Sequence, residues 1–166
     1  MNTLKKTFII LLFLSITGVA SEGQSLTGNY RAAIGVRAGE TSGVTFKIRG
    51  RNSGGVELLA GLWSDWLNLT ALYERNVPAF GVNGMNWYYG GGGHVAFSTG
   101  TYYNGGRRYS RGSDYALGVD GIVGLEYKIP PIPFAVSLDL KPLVEVYRNG
   151  DLFFGLDPGI GVKFTF

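Results

Sequence analysis

Gly159-Ile160-Gly161-Val162-Lys163-Phe164-Thr165-Phe166 closes the chain and decides how the rest is read. Ile160, Val162, Phe164 and Phe166 form one file, and Gly159, Gly161, Lys163 and Thr165 form the other. A period of two belongs to a strand, and two chemically different files mean a different solvent on each face. The apolar file runs to the last residue and ends on an aromatic ring. A soluble domain gains nothing from an exposed Phe there. A closed sheet that crosses a membrane needs it, because its last strand must face lipid and pair with the first.

The other end of the chain agrees. Lys5 and Lys6 form a short basic region, Phe8 to Ile16 is an apolar stretch broken only by Ser15, and Gly18-Val19-Ala20 offers small residues. This is the pattern of a secretory signal peptide over residues 1–20, with cleavage expected after Ala20, or alternatively after Gly23. The stretch falls short of the roughly 20 apolar residues a spanning helix needs. The chain has 15 Lys and Arg against 12 Asp and Glu, and residues 1–20 hold two of the bases and no acid, so residues 21–166 carry a net charge of +1. That balance gives no argument for nucleic-acid binding. With no cysteine, disulfides and thiol metal sites are excluded. Residues 21–166 are expected to form one domain.

Working back from the terminal strand, eight alternating segments emerge, each near the length of a tilted membrane strand. Tyr30, Ala32, Ile34 and Val36 alternate with Arg31, Ala33, Gly35 and Arg37. Val44, Phe46 and Ile48 oppose Thr45, Lys47 and Arg49. The third and fourth segments meet at a bend over Ser64-Asp65, and Trp87, Tyr89, Val95 and Phe97 face away from Tyr88, His94, Ala96 and Ser98 in the fifth. The sixth and seventh flank the rigid turn Pro130-Pro131-Ile132-Pro133. Asn76 to Gly84 reads as a connection, with Pro78 barred from a central ladder. Asp157-Pro158 in the last segment suggests a bulge or a late strand start. With the N-terminus in the periplasm, the odd connections face outward: Gly39–Gly43, Ser64–Asp65, Thr101–Asp114 and Tyr147–Asp151. The long polar loop then lies outside and the Pro-rich turn inside.

The runs Ala33-Ile34-Gly35-Val36-Arg37-Ala38-Gly39, Asn86-Trp87-Tyr88-Tyr89-Gly90-Gly91-Gly92-Gly93-His94, Gly121-Ile122-Val123-Gly124-Leu125-Glu126-Tyr127 and Phe164-Thr165-Phe166 give the chain its family likeness. It resembles the small OmpA/OmpX-type outer-membrane barrels. More closely, it is similar to the eight-stranded outer-membrane proteins of unassigned function found in Bacteroidetes. The resemblance spans essentially all of residues 21–166. It implies an all-β, eight-stranded antiparallel transmembrane β-barrel in a bacterial outer membrane, exported through the periplasm. Proteins of this shape include structural barrels, adhesion-related surface proteins and a few lipid-modifying enzymes.

The inward file is the most distinctive chemistry. It holds Arg31, Arg37, Lys47, Arg49, Lys128, Lys141 and Lys163, with Glu57, Glu74, Asp120, Glu126, Asp139 and Glu145. An eight-stranded barrel is just wide enough for side chains to fill, so these ions are expected to neutralise one another in a packed lumen. Arg49 should approach Glu126, Arg37 should approach Asp120, and Lys163 should approach Glu74. The functional alternative is a narrow ion or solute path. His94 is the sole histidine, and Ser98 lies too far along the strand for a hydrogen-bonded catalytic pair. The expectation is therefore no enzyme, with a lipid-modifying enzyme as the alternative, and no cofactor. His94 is expected to join the polar lumen.

Tyr30, Tyr73, Trp87, Tyr89, Tyr127 and Phe166 should make an aromatic girdle at one membrane interface. Tyr102, Tyr103, Arg107, Arg108, Tyr109 and Arg111 in the long outer loop are residue types favoured at binding surfaces. Lipopolysaccharide, surface glycans or a host ligand are the partners considered. Outer-membrane lipid surrounds the barrel, which is expected to be a monomer. Ile160, Val162, Phe164 and Phe166 are the expected signal for the barrel-assembly machinery.

Overall fold

The computed structural model describes residues 30–50, 53–63, 66–98, 101–104, 107–110 and 115–166. The expected signal peptide, with its cleavage point, lies outside the described residues, as do Ser64, Asp65 and Arg111. The strands are β1 (Ala32–Gly39), β2 (Ser42–Arg49), β3 (Gly54–Trp63), β4 (Trp66–Pro78), β5 (Met85–Ser98), β6 (Thr101–Asn104), β7 (Arg107–Ser110), β8 (Tyr115–Ile129), β9 (Phe134–Tyr147) and β10 (Leu152–Thr165). Eight of them close an antiparallel barrel in the order β1-β2-β3-β4-β5-β8-β9-β10, with β10 back on β1. Strands β6 and β7 form a separate hairpin between β5 and β8, so part of the expected polar loop is a two-stranded sheet.

Closure follows from the terminal run. Ile34 pairs with Phe164, Val36 with Val162 and Ala38 with Ile160. Past the strand ends, Phe166 N–H donates to Ala32 C=O at 2.8 Å, and Phe166 C=O accepts from Arg31 and Ala32 N–H at 3.1 and 2.9 Å. The last residue is thus bonded to the first turn of the barrel, leaving no free sheet edge there.

The two files of β10 meet different surroundings. Ile160 is 59% exposed, Val162 46% and Phe164 38%, while Lys163 between them is 3% exposed. The inversion repeats on every barrel strand: Leu138 is 64% exposed and its neighbour Asp139 is 5% exposed. A closed sheet with an apolar exterior and a charged interior is a barrel solvated by hydrocarbon. Tyr73, Trp87, Tyr89 and Phe166 lie on this exterior. Tyr30 does not. It precedes β1 and turns inward, 7% exposed, so it is a lid on the lumen and no part of the girdle.

Two proline readings are corrected by the register. β10 pairs continuously with β9 from Leu152 to Phe164, with Pro158 opposite Leu140, so there is neither a bulge nor a late start. β4 continues through Asn76 and Val77 to Pro78, opposite Asn86. Ala79 N–H bonds Met85 C=O on the β5 side, so the nitrogen of Pro78 faces the other way. There β3 has already ended, opposite Arg75, and the missing donor leaves no gap. The connection shrinks to residues 79–84. At the opposite end, Gly150, with φ of +88°, allows the tight turn from β9 to β10.

Deleting Phe166 removes three backbone bonds at the seam. The expected result is a several-fold fall in folded, heat-modifiable barrel in envelope fractions, with transcript unchanged. Normal levels of the truncated chain would contradict the role given to this residue.

Candidate functional site

Strand alternation puts every second side chain into the lumen, and there the charges sort into two clusters. The first lies toward the chain termini. Lys47 Nζ sits 2.7 Å from Glu74 Oε2 and 3.6 Å from both Glu57 and Glu126. Lys163 Nζ lies 2.8 Å from Glu57 and 3.4 Å from Glu126. Arg49 donates to Glu126 at 2.6 Å and to Asn76 at 2.8 Å. Three cations and three carboxylates thus share one space, and Lys47, Glu74 and Glu126 are each 0% exposed. Thr45 donates to Glu57. Tyr30 closes the terminal end: its hydroxyl donates to Glu126 at 2.7 Å, and its ring lies 4.2 Å from the Arg49 guanidinium.

The second cluster lies toward the β6–β7 end. Arg37 has five N–H groups, and five hydrogen bonds receive them. Nε and Nη2 donate to Asp139 Oδ1 at 3.0 and 2.6 Å. Nη1 donates to Thr41 C=O and Asp157 Oδ2, both at 3.0 Å, and Nη2 reaches Asp157 C=O at 3.1 Å. Asp157 also accepts the backbone N–H groups of Glu40 and Thr41, so it ties the β1–β2 turn to β10. Lys141 lies between Asp120 at 3.4 Å and Asp157 at 3.5 Å. His94 places Nδ1 2.7 Å from Asp120 and Nε2 2.8 Å from Glu145. Only the imidazolium form can donate to both carboxylates at once.

Tyr88 joins the clusters. Its ring lies 4.4 Å from Lys47 Nζ in a cation–π contact, and its hydroxyl donates to Asp139 at 2.8 Å. With Leu72 and Ile122 on the flanking strands β4 and β8 it forms an apolar cluster inside the lumen. Glycines make the room. A Cβ on Gly159 would lie 2.3 Å from Arg37 Cζ, one on Gly118 2.2 Å from His94, and one on Gly124 2.5 Å from Tyr88. Each long lumen side chain thus lies over a neighbouring strand that offers no side chain to oppose it.

Of the expected lumen ions, the structure brings eleven into these two clusters: Arg37, Lys47, Arg49, Glu57, Glu74, Asp120, Glu126, Asp139, Lys141, Glu145 and Lys163. Two stay out. Arg31 is exposed, because the chain before Ala32 has left the regular alternation that Tyr30 also breaks. Lys128 turns to the Pro-rich connection and donates to Ile129 and Ile132 carbonyls at 3.3 and 2.7 Å. The Arg49–Glu126 pair forms as expected. Arg37 chooses Asp139 and Asp157 in place of Asp120, and Lys163 chooses Glu57 and Glu126 while Glu74 goes to Lys47. Barrel shear slides strands past one another, so counting residues from the turns misplaces levels.

Asp157 was not expected in the lumen, although it shares the parity of Gly159, Gly161 and Lys163. Thr41, Thr45, Asn68, Thr70 and Asn76 are also buried polar lumen residues. In the hairpin, Tyr102 stands opposite Tyr109, Tyr103 opposite Arg108 and Asn104 opposite Arg107. Among the described residues no group of three or more His, Asp and Glu is placed to hold a metal ion.

No family model matches the chain, and no curated protein matches it. Among solved structures it is similar to the N-terminal β-barrel domain of Pseudomonas aeruginosa OprF. The TM-score is 0.60 at 17% identity, covering 81% of this chain and 95% of that domain. The likeness is one of fold.

Glu126 faces Lys47, Arg49 and Lys163 at once, so Glu126→Ala leaves buried positive charge without its shared partner. The expected loss is about 3–5 kcal/mol in urea unfolding of the barrel in lipid vesicles. Arg31→Ser, at an exposed position, should stay within about 0.5 kcal/mol. Equal effects of the two changes would count against the cluster.

Proposed function

We propose that the chain is an integral outer-membrane barrel with a structural or surface-interaction role in the cell envelope, and that its lumen does not conduct. The observation that carries this reading is the filled interior. The first ion cluster connects opposite walls through Lys47 and Arg49 on β2 and Glu126 on β8, and Tyr88, packed with Leu72 and Ile122, links it to the second cluster. An ion entering this space would have to displace a paired charge, and separating a buried pair costs about 3–5 kcal/mol. The apolar exterior supports a membrane location, and the likeness to the OprF β-barrel domain supports the fold. In this reading the chain is exported through the periplasm and inserted as a monomer by the barrel-assembly machinery, which reads the terminal strand. The β6–β7 end faces outward, where Tyr102, Tyr103, Arg107, Arg108, Tyr109 and Arg111 are candidates to meet lipopolysaccharide, glycans or a host surface.

The role is non-enzymatic in this reading. His94 gives both ring nitrogens to carboxylates inside the lumen and is 4% exposed, so neither nitrogen is left for a substrate. Planar-bilayer recordings of the refolded barrel test the proposal. The expected trace is a silent membrane across physiological voltages. Steady, reproducible conductance would contradict the filled lumen and favour the channel.

A further inference from the structure

The outward file of the eight barrel strands carries a single charge among the described residues. It is Arg75, exposed near the terminal end of β4, where it follows Leu67, Leu69, Ala71 and Tyr73 on the lipid-facing side. It has no salt bridge among the described residues. The acids of that end, Glu57, Glu74 and Glu126, lie in the lumen and are held by Lys47, Arg49 and Lys163. The exposed acids Glu40 and Asp151 sit in turns at the other end of the barrel. A cation that faces hydrocarbon is costly at mid-depth, and the cost fades where the lipid head groups begin. Arg75 stands where that boundary is due. Residues 67–75, nine in all, run from the start of the outward file of β4 to Arg75, and a tilted strand crosses the hydrocarbon layer in about 9–11.

The neighbours of Arg75 suit the same plane. Its register partners are Gly54, where β3 begins, and Tyr89 on β5. Gly54 has no side chain, and the Tyr73 hydroxyl takes the place, since a Cβ on Gly54 would collide with that oxygen. Tyr73 thus turns its polar tip along the strand to the level of Arg75. Neither side chain has a hydrogen-bond partner among the described residues. Tyr73, Tyr89 and Trp87 are exposed on the outward file, and amphipathic rings of this kind gather at head-group level. A guanidinium fork beside a phenol hydroxyl matches the oxygens of a phosphodiester. The opposite side of the barrel offers no such set at this end: there Phe134, Phe164 and Phe166 pack ring against ring. We propose that Arg75 and Tyr73 hold the phosphodiester of one glycerophospholipid of the periplasmic leaflet, with Tyr89 and Trp87 beside its head group. The leaflet rests on the outer-membrane reading above, whereas the site rests on the apolar exterior alone. Arg75 then sets the depth of the barrel, and residues 79–84, which join β4 to β5, stand beyond the phosphates.

The test is native mass spectrometry of the full barrel released from nanodiscs, with phosphatidylglycerol, phosphatidylethanolamine and diacylglycerol of matched chains as probes. Wild type should retain one molecule of either phospholipid and release diacylglycerol, which lacks the phosphate. Arg75→Gln should lower retention roughly tenfold, the scale of one charge-assisted hydrogen bond. Tyr73→Phe keeps the ring, removes the hydroxyl and should lower retention several-fold. Arg31→Gln removes an exposed charge of the same end that lies outside the barrel strands, and should leave retention unchanged. Millimolar inorganic phosphate should not displace the lipid. A phospholipid photoreactive at its head group, reconstituted with the unaltered chain, should label residues 73–75 and 87–89 in preference to 134–136 and 162–166; this arm stands even if a variant fails to fold. Equal retention in wild type and both site variants, equal retention of diacylglycerol, a loss in Arg31→Gln as large as in Arg75→Gln, displacement by inorganic phosphate, or even labelling around the barrel would each overturn the site. Envelope fractionation separates the two claims. A chain absent from the outer membrane defeats the proposed function, whereas a chain located there that retains phospholipid and diacylglycerol alike defeats only the Arg75 site.

Discussion

Lys47, Arg49 and Lys163 face Glu57, Glu74 and Glu126 in one buried space, and the rest of the barrel is arranged around that constraint. Charges in such a setting cannot be left single, because desolvation is repaid only by an opposite charge and aligned hydrogen bonds. The residues come from β2, β3, β4, β8 and β10, so pairing them demands that the sheet close. Closure in turn fixes the alternation. A slip of one residue in any strand would send its lysine or glutamate into hydrocarbon and its leucines into the charged interior. The ion clusters therefore act more on specificity of register than on net stability, since a buried ion pair compared with a well-packed apolar core often breaks even.

The second cluster applies the same logic at the seam. Arg37 of β1 holds Asp139 of β9 and Asp157 of β10, with all five donors engaged. It spans the junction between the first strand and the last, where chain connectivity gives no help. Tyr88 couples this cluster to the other by reaching Asp139 with its hydroxyl and Lys47 with its ring face. Perturbation at one end of the lumen is thus expected to be felt at the other, because residues in one network do not respond additively. Gly118, Gly124 and Gly159 belong to this design. They carry no side chain where His94, Tyr88 and Arg37 lie flat against the wall.

The barrel was legible in the alternation because hydrocarbon outside and charge inside write opposite residue types onto neighbouring positions. Ile160, Val162 and Phe164 against Lys163 state it in five residues. The lumen membership of Lys47, Glu74 or Lys141 follows from the same parity. The pairing does not. Whether Arg37 meets Asp120 or Asp157 depends on shear, a property of the closed sheet that no single strand carries. Tyr30 and Arg31 exchanged places because the alternation ends at Ala32, where the chain leaves the ladder. Asp157 was obscured by its neighbour: Asp-Pro suggests a break, yet Pro158 sits on the outward file and Asp157 on the inward one.

The central claim is that the inward file faces packed side chains and not water. Its most direct test uses the absence of native cysteine. Single cysteines at Val136, Ser137 and Leu138 on β9, and at Val44 and Thr45 on β2, would be spin-labelled in lipid vesicles. Their collision rates with oxygen and with a water-soluble nickel chelate would then be compared. The account predicts that Val136, Leu138 and Val44 collide with oxygen, and that Ser137 and Thr45 are shielded from both reagents. Ready access of the nickel chelate to Ser137 and Thr45 would show a water-filled lumen and contradict the account.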